Sequence, residues 1–194
     1  MAEHAVHAAT TGHEQAIVDV LTLAFAQDPM ARWALPDAHV YLKAWPLAVR
    51  AFGGRAVLSG SADVLEDGGG AALWLPPGVE PDGERLVGLI REHSPAPRLP
   101  ALMEIFEQMG QFHPKEPHWY LPLIGVDPAR QGMGLGSILL RHAVARSDRE
   151  GVLAYLESSN PRNIGLYERH GFVRLGIIQS GESPEVVPML RRAQ

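Results

Sequence analysis

The stretch Leu123-Ile124-Gly125-Val126-Asp127-Pro128-Ala129-Arg130-Gln131-Gly132-Met133-Gly134-Leu135-Gly136-Ser137-Ile138-Leu139-Leu140 decides how the chain is read. It describes an apolar strand, a short loop broken by Pro128, and three alternating glycines that open a helix. Gly132, Gly134 and Gly136 carry no Cβ, so the loop can turn tightly and let a bulky group approach its backbone. The unpaired N–H groups of the first helical turn face that group, and the helix dipole favours negative charge there. The local chemistry is that of a phosphate or pyrophosphate cradle. A P-loop would end in Gly-Lys-Ser/Thr, yet the only lysines in the chain are Lys43 and Lys115. A dinucleotide fingerprint needs G-x-G-x-x-G, and the spacing here is G-x-G-x-G.

Gln131-Gly132-Met133-Gly134-Leu135-Gly136 matches the Q/R-x-x-G-x-G/A signature of the GNAT acetyltransferase superfamily. Downstream, Asn160-Pro161-Arg162-Asn163-Ile164-Gly165-Leu166-Tyr167-Glu168-Arg169-His170-Gly171-Phe172 resembles that superfamily's N-x6-Y-x3-G-F segment. From His118 to Phe172 the chain is most similar to the puromycin N-acetyltransferase-like branch, while the first half resembles the superfamily only in outline. The resemblance implies an α/β fold (α+β in some schemes): a mixed central β-sheet splayed at the cofactor site, with helices on both faces. It also implies transfer of an acetyl group from acetyl-CoA to an amine, with a small-molecule acceptor favoured. Acetylation of a protein N-terminus or lysine, and a non-catalytic acyl-CoA-binding module, are the rival functions.

Composition is consistent with one domain over residues 1–194. The chain is 46% hydrophobic and 20% charged, as ordinary globular domains are. No apolar run reaches the ~18 residues that span a bilayer. The segment Met1 to His7 lacks the basic and apolar regions of a signal peptide, so a cytoplasmic location is expected. With no cysteine there is no disulfide, thiol nucleophile or thiolate metal site, and the histidines are dispersed without H-E-x-x-H; no metal is expected. A net charge of −5 argues against nucleic acid as a partner. Residues 130–170 nevertheless carry six arginines against four carboxylates, a local cationic excess beside the glycine loop. Oligomeric state, monomer or homodimer, leaves no motif.

Periodicity places the elements. Residues 4–10 suit a first strand, and Thr11 with Glu14 has capping-box spacing ahead of a helix to about Ala26 that Asp28-Pro29 stops. A second helix over residues 40–52 is expected to be interrupted at Pro46 and ended by Gly53-Gly54. Residues 62–66 and 71–75 flank Asp67-Gly68-Gly69-Gly70 as a hairpin. A short helix covers residues 84–93. Pro95, Pro97 and Pro100 leave no regular element over residues 94–100, and residues 101–112 form the next helix. Strand 119–126 feeds the glycine loop, helix 135–149 follows, then strand 152–157, helix 163–170 and closing strands 172–179 and 185–190. Gly171 fits a helix stop.

The resemblance gives these elements roles. Gln131 to Ser137 would grip the pyrophosphate, chiefly through backbone N–H groups. Ile124, Gly125 and Val126 would pair main chain to main chain with the pantetheine amides, unless they belong to an ordinary buried ladder. Tyr167 would stand near the thioester sulfur as general acid, since a phenol of pKa about 10 can protonate a leaving thiolate. Asn160 would either hold pantetheine or fix the turn before Pro161. For the general base, Glu157 leads. His118, with an ordinary pKa near 6.5, is the second choice, and a water relay the third. Residues 28–45 would face the acceptor, and Trp33, Trp45, Trp74 and Trp119 are either aromatic walls of its pocket or core.

Overall fold

The computed structural model describes residues 5–194. The apolar run ahead of the glycine loop is β4 (His118–Val126), and the other strands assemble on its two edges. On one edge lie β3 (Gly70–Leu75), β2 (Ala62–Leu65) and β1 (Val6–Ala8), all antiparallel. On the other, β5 (Leu153–Ser158) pairs parallel to β4, followed by the antiparallel β7 (Val187–Arg191) and β6 (Val173–Arg174). The seven strands run in the order β1-β2-β3-β4-β5-β7-β6, a mixed sheet with helices on both faces.

Helix α7 (Leu135–Glu150) covers one face. Its Leu135, Leu139, Leu140, Ala143 and Val144 pack with Trp74, Trp119, Leu121 and Leu156. The opposite face takes α1 (Glu14–Ala24) and α3 (Ala38–Gly53), where Ile17, Leu21 and Val49 meet Leu73, Tyr120, Leu123 and Tyr155. Further along the chain α2 (Pro29–Ala34), α4 (Arg55–Leu58), α5 (Gly83–His93) and α6 (Leu99–Phe112) extend this second layer. Helix α8 (Ile164–Arg169) follows β5.

The pairing of β4 changes midway. Leu73 faces Leu123 but Leu75 faces Tyr120, so β4 holds one residue more than β3 across this interval, a β-bulge at Leu121-Pro122. The extra residue shifts the alternation of side chains. Trp119 and Leu121 point to the α7 face before it, Ile124 and Val126 after it, while Leu123 joins the α1 face. The ladder to β5 also ends there, its last pair being Leu121 with Leu156. Pro122 has no N–H to extend it. Beyond this point β5 pairs only with β7, and the β4 edge from Pro122 to Val126 is open on the β5 side.

Several sequence expectations need correction. Asp28-Pro29 does more than stop α1: the Asp28 carboxylate accepts the Ala31 N–H and Pro29 takes the first turn of α2, where a missing N–H costs nothing. Helix α3 runs unbroken through Pro46, its neighbours on α1 and α5 holding it straight. Between Pro95 and Pro100 a 3-10 turn forms at Ala96–Arg98, and Pro100 lies in the first turn of α6. At the N-terminal end of α1, Thr10 rather than Thr11 donates its backbone N–H to His13. The first strand is shorter than residues 4–10, of which His4 lies outside the described residues. The closing strands shrink to Val173–Arg174 and Val187–Arg191, with one isolated bridge between Ile178 and Val186. Gly171 ends α8 as expected, at φ +85°, with Phe172 N–H returning to the Tyr167 carbonyl.

Gly125 shows how closely α1 sits on the open part of β4. A Cβ there would lie 2.5 Å from the Ala24 Cβ and 3.0 Å from Leu21 Cδ2. Gly125→Ala should therefore lower the unfolding free energy by about 1–3 kcal/mol, the usual cost of overpacking. Urea denaturation reads this directly, and an unchanged midpoint would show that α1 can lift away from the strand.

Candidate active site

The glycine loop folds as its composition demands. Gly132 and Gly134 stand at φ +79° and +81°, which L side chains rarely adopt, and Gly134 is the N-cap of α7. It brings no side chain to cap the helix, and the first turn holds no carboxylate. Ile138 N–H is the first to return within the helix, to the Gly134 carbonyl, which leaves the N–H groups ahead of it directed at the groove. Arg130 fastens the loop to the β2–β3 turn through two 2.6 Å bonds to Asp67.

Beside the loop lies an open groove of about 550 Å³. Its walls are the open β4 edge (Ile124, Gly125, Val126), the loop and α7 start, the end of α1, and Asn160, Arg162, Tyr167 and Arg169 around α8. Cationic side chains outnumber carboxylates along it, and Asp28 is the one acidic residue among the described residues that line it. Helix N-terminus, backbone donors and arginines form a single anion-binding end. A strand edge that no neighbouring strand pairs leads away from it, its Val126 carbonyl taken by Gln131 Nε2 at 3.2 Å. Those two features fit the phosphates and the amide-bearing arm of CoA.

A second cavity, about 130 Å³ and almost wholly apolar, lies across the bulge. Pro122 and Leu123 border it where Ile124 borders the groove, and Phe25 and Asp28 border both. The two spaces thus meet where β4 leaves β5. Glu157 stands at that junction on β5, its side chain only 4% exposed. Oε1 of Glu157 is buried with no hydrogen-bond partner. Next to it, Asp28 is fully engaged: one oxygen takes the Ala31 N–H and the other the Ser159 hydroxyl at 2.7 Å. Burial raises the Asp28 pKa, and those two bonds partly offset the shift.

A pair of histidines backs Glu157. His113 Nδ1 lies 4.0 Å from Glu157 Oε1, and His113 Nε2 is 2.9 Å from His118 Nε2. His118 Nδ1 is 2.8 Å from the Glu116 carbonyl, which can only accept, so this nitrogen carries the hydrogen. In the neutral pair His118 Nε2 then accepts from His113, and the bare Nδ1 of His113 faces Glu157. Burial, more than the neighbouring His113, lowers the His118 pKa. Tyr120 and Tyr155 pack edge-on against His113, with centroids 4.9 and 5.0 Å away. Burial first, then the Glu157 charge and a hydrogen bond from each hydroxyl toward Glu157, push both phenols upward, so they remain protonated.

The profile of the family described as "Acetyltransferase (GNAT) family" matches residues 42–172, more than half of the chain. The chain belongs to the GNAT acetyltransferase family. A solved Corynebacterium glutamicum structure, titled histone acetyltransferase HPA2 and related acetyltransferase, is 32% identical. It covers 98% of this chain and 97% of that one, with a TM-score of 0.69. Arylalkylamine N-acetyltransferase 2 from Aedes aegypti shares the fold, at a TM-score of 0.67 over 98% and 99% of the two chains, with 12% identity. A mycothiol acetyltransferase from Geodermatophilus obscurus is 35% identical over 98 residues, 48% of this chain. That match spans 27% of the mycothiol enzyme, so the chain covers about a quarter of its length.

Within this GNAT frame most expected site residues converge. Ile124, Gly125, Val126, Gln131, Gly132, Gly134, Leu135, Gly136, Ser137, Asn160 and Tyr167 all line the groove. Met133 does not; its side chain turns to solvent, 59% exposed. Ser137 spends its hydroxyl on His170 at 2.7 Å. The Asn160 side-chain oxygen accepts the Arg162 N–H, which fixes the turn into α8. His118 borders neither space and reaches Glu157 only through His113. Of the tryptophans, Trp45 lines the apolar cavity. Trp74 is buried in the core, Trp119 donates to Glu150, and Trp33 lies under Arg98. Sequence reading missed His113, Asp28 as a joint between the spaces, and the walls from α5 and α6. Their apolar stripes look the same whether they face a core or a cavity.

Gly134→Val should lower CoA affinity by an order of magnitude or more with the fold retained, because Val disfavours φ +81° and adds bulk at the helix start. Calorimetric titration with CoA, with ATP and NAD as controls, checks this; equal affinity in a folded variant would place the ligand elsewhere.

Proposed function

We propose that the protein is an acetyl-CoA-dependent N-acetyltransferase acting on a small-molecule amine. The observation that carries this reading is Glu157, a buried carboxylate with an unpartnered oxygen, placed where a CoA-shaped groove meets an apolar cavity. Acetyl-CoA supplies an activated acetyl thioester when bound. The cradle from Gln131 to Ser137 and the edge Ile124–Val126 hold it, and Arg162 and Arg169 add positive charge.

An amine enters as its ammonium form and must lose two protons as the nitrogen–carbon bond forms and the carbon–sulfur bond breaks. One proton balances the departing thiolate and the other leaves to solvent. Glu157 Oε1 accepts the proton from nitrogen, in keeping with its leading place as base. His113 and His118 then form the route outward, the bare Nδ1 of His113 receiving and the Glu116 end releasing. Tyr167, on the groove side, gives its proton to the thiolate and regains one from the second proton that the nitrogen loses, so the phenol is restored within the turnover. Burial, with the Asp28 charge second, raises the Tyr167 pKa, so the phenol is present in its donating form at neutral pH. The puromycin N-acetyltransferase-like elements between His118 and Phe172 support a small-molecule acceptor. Similarity to the Corynebacterium protein, described as histone acetyltransferase HPA2 and related acetyltransferase, supports a second reading, a protein lysine acceptor.

Thiol release from acetyl-CoA with and without amines tests the proposal, and amine-independent binding without release would indicate a non-catalytic module. Tyr167→Phe keeps the ring and removes the hydroxyl. Single-turnover rates at saturating acetyl-CoA should fall on the order of 10²-fold, the usual size of general-acid effects, with CoA affinity unchanged. Matching rates would remove Tyr167 from the chemistry. Glu157→Gln keeps shape and loses the base, so kcat should fall by about 10²–10⁴-fold, and full activity would leave a water relay as base.

A further inference from the structure

We infer that the acceptor is a compact monoamine with an apolar body: one aromatic ring, or a short branched alkyl chain, bearing a primary amine. This rests on the acetyltransferase reading and names the substrate class for the same site.

The polar groups of the cavity are gathered at one end. Among the described residues that line it, Asp28, Glu157 and Ser159 are the ones with polar side-chain oxygens, apart from the indole of Trp45. Asp28 and Ser159 satisfy each other, and Glu157 Oε1 makes no close hydrogen bond although the Tyr120 and Tyr155 hydroxyls lie near the carboxylate, so it can accept from an entering donor. A charged amine placed there meets both an unpaired carboxylate oxygen and the junction with the CoA groove. The rest of the molecule must then lie against Phe52, Leu89, Ile105, Phe106 and Met109, which offer no hydrogen bond. A second ammonium or a guanidinium in that space would be buried without an acceptor, because the one further polar group of the lining, the unpartnered Trp45 Nε1–H, is itself a donor. Such a group is rejected more strongly than a missing methylene is, because its lost hydration is not replaced.

Size narrows the class further. An apolar cavity of about 150 Å³ holds one benzene molecule. The cavity here, at about 130 Å³, suits a single ring or four to five carbons and is too small for an indole without rearrangement. Trp45, stacked on Tyr41 at 5.7 Å and tilted on Phe25 at 5.2 Å, presents an aromatic wall to such a ring.

The test measures kcat/KM by thiol release for phenethylamine, benzylamine and isoamylamine against putrescine, agmatine, spermidine and a lysine-containing peptide. CoA binding is measured by calorimetry in the same preparation. Phenethylamine should exceed putrescine by about 10²-fold or more. Phe106→Glu, which sets a carboxylate in the apolar wall, should narrow that ratio by about tenfold through pairing with the second ammonium. The wild-type ratio decides the class by itself, so a misfolded variant leaves the test standing. Lack of CoA binding would overturn the acetyltransferase reading. With CoA bound, polyamine or peptide turnover equal to that of phenethylamine, or no turnover of any apolar amine, would overturn the acceptor class alone.

Discussion

The bulge at Leu121-Pro122 is the constraint on which the site depends. One extra residue in β4 breaks its register with β3, reverses which side chains face α7, and coincides with the last β4–β5 pair. A regular strand here would continue its ladder to Glu157 and Ser158, and its main-chain groups would be consumed. With the ladder ended, Ile124 to Val126 keep an edge that no strand covers, the Val126 carbonyl accepting from Gln131 Nε2, and the groove and the apolar cavity meet at the gap. Proline suits this position because the ladder asks nothing of its nitrogen. Leaving main-chain groups unpaired in a buried sheet is costly, so the arrangement is stable only where water or a ligand reaches them.

The two spaces that meet at this gap have opposite electrostatics, and that difference orders the substrates. One side gathers a helix N-terminus, backbone donors and arginines, which attract a polyanion and are screened by salt. The other is almost wholly apolar, and Glu157 stands in its wall with a buried carboxylate. Low polarity around Glu157 strengthens its pairing with an ammonium and equally penalises leaving it unpaired. Asp28 separates the two regimes. By bonding to both the α2 start and Ser159, it ties the acceptor-side helices to the β5–α8 loop at the point where both cavities share a wall.

Much of this was legible in the sequence because the cradle is local. Gly132 and Gly134 need their φ values wherever the fold places them, and Gly171 closes α8 by a rule three residues long. The strand–loop–helix reading therefore follows from spacing, while the groove residues beyond the loop follow from the resemblance to the superfamily's two motifs. The acceptor side depends on contacts distant in sequence. His113 meets Glu157 across 44 positions, and Phe25, Phe52, Leu89 and Phe106 converge from four helices. An apolar stripe carries no record of whether it meets a neighbour or a void. Pro46 misled for a related reason: an isolated helix breaks at proline, whereas packing of α3 between α1 and α5 outweighs one lost hydrogen bond. The closing strands shortened because Leu175 to Gln179 has little sheet left to pair with at the edge.

The positions of Glu157 and Tyr167 follow from the same geometry. Glu157 leaves β5 just past the last residue paired to β4, so its side chain enters the gap from the acceptor side. The chain then crosses the gap through Ser159, turns at Asn160 and starts α8, which brings Tyr167 to the groove side. Ten residues thus place a carboxylate and a phenol on opposite sides of one opening. Burial, with the Asp28 charge second, raises the Tyr167 pKa, and on the other side His113 Nδ1 lies 4.0 Å from Glu157 Oε1. Glu157 and Tyr167 thus stand on opposite sides of the gap, one lining the apolar cavity and the other the groove. The bulge, by opening the sheet at one residue, creates both the meeting point of the two spaces and the separation between Glu157 and Tyr167.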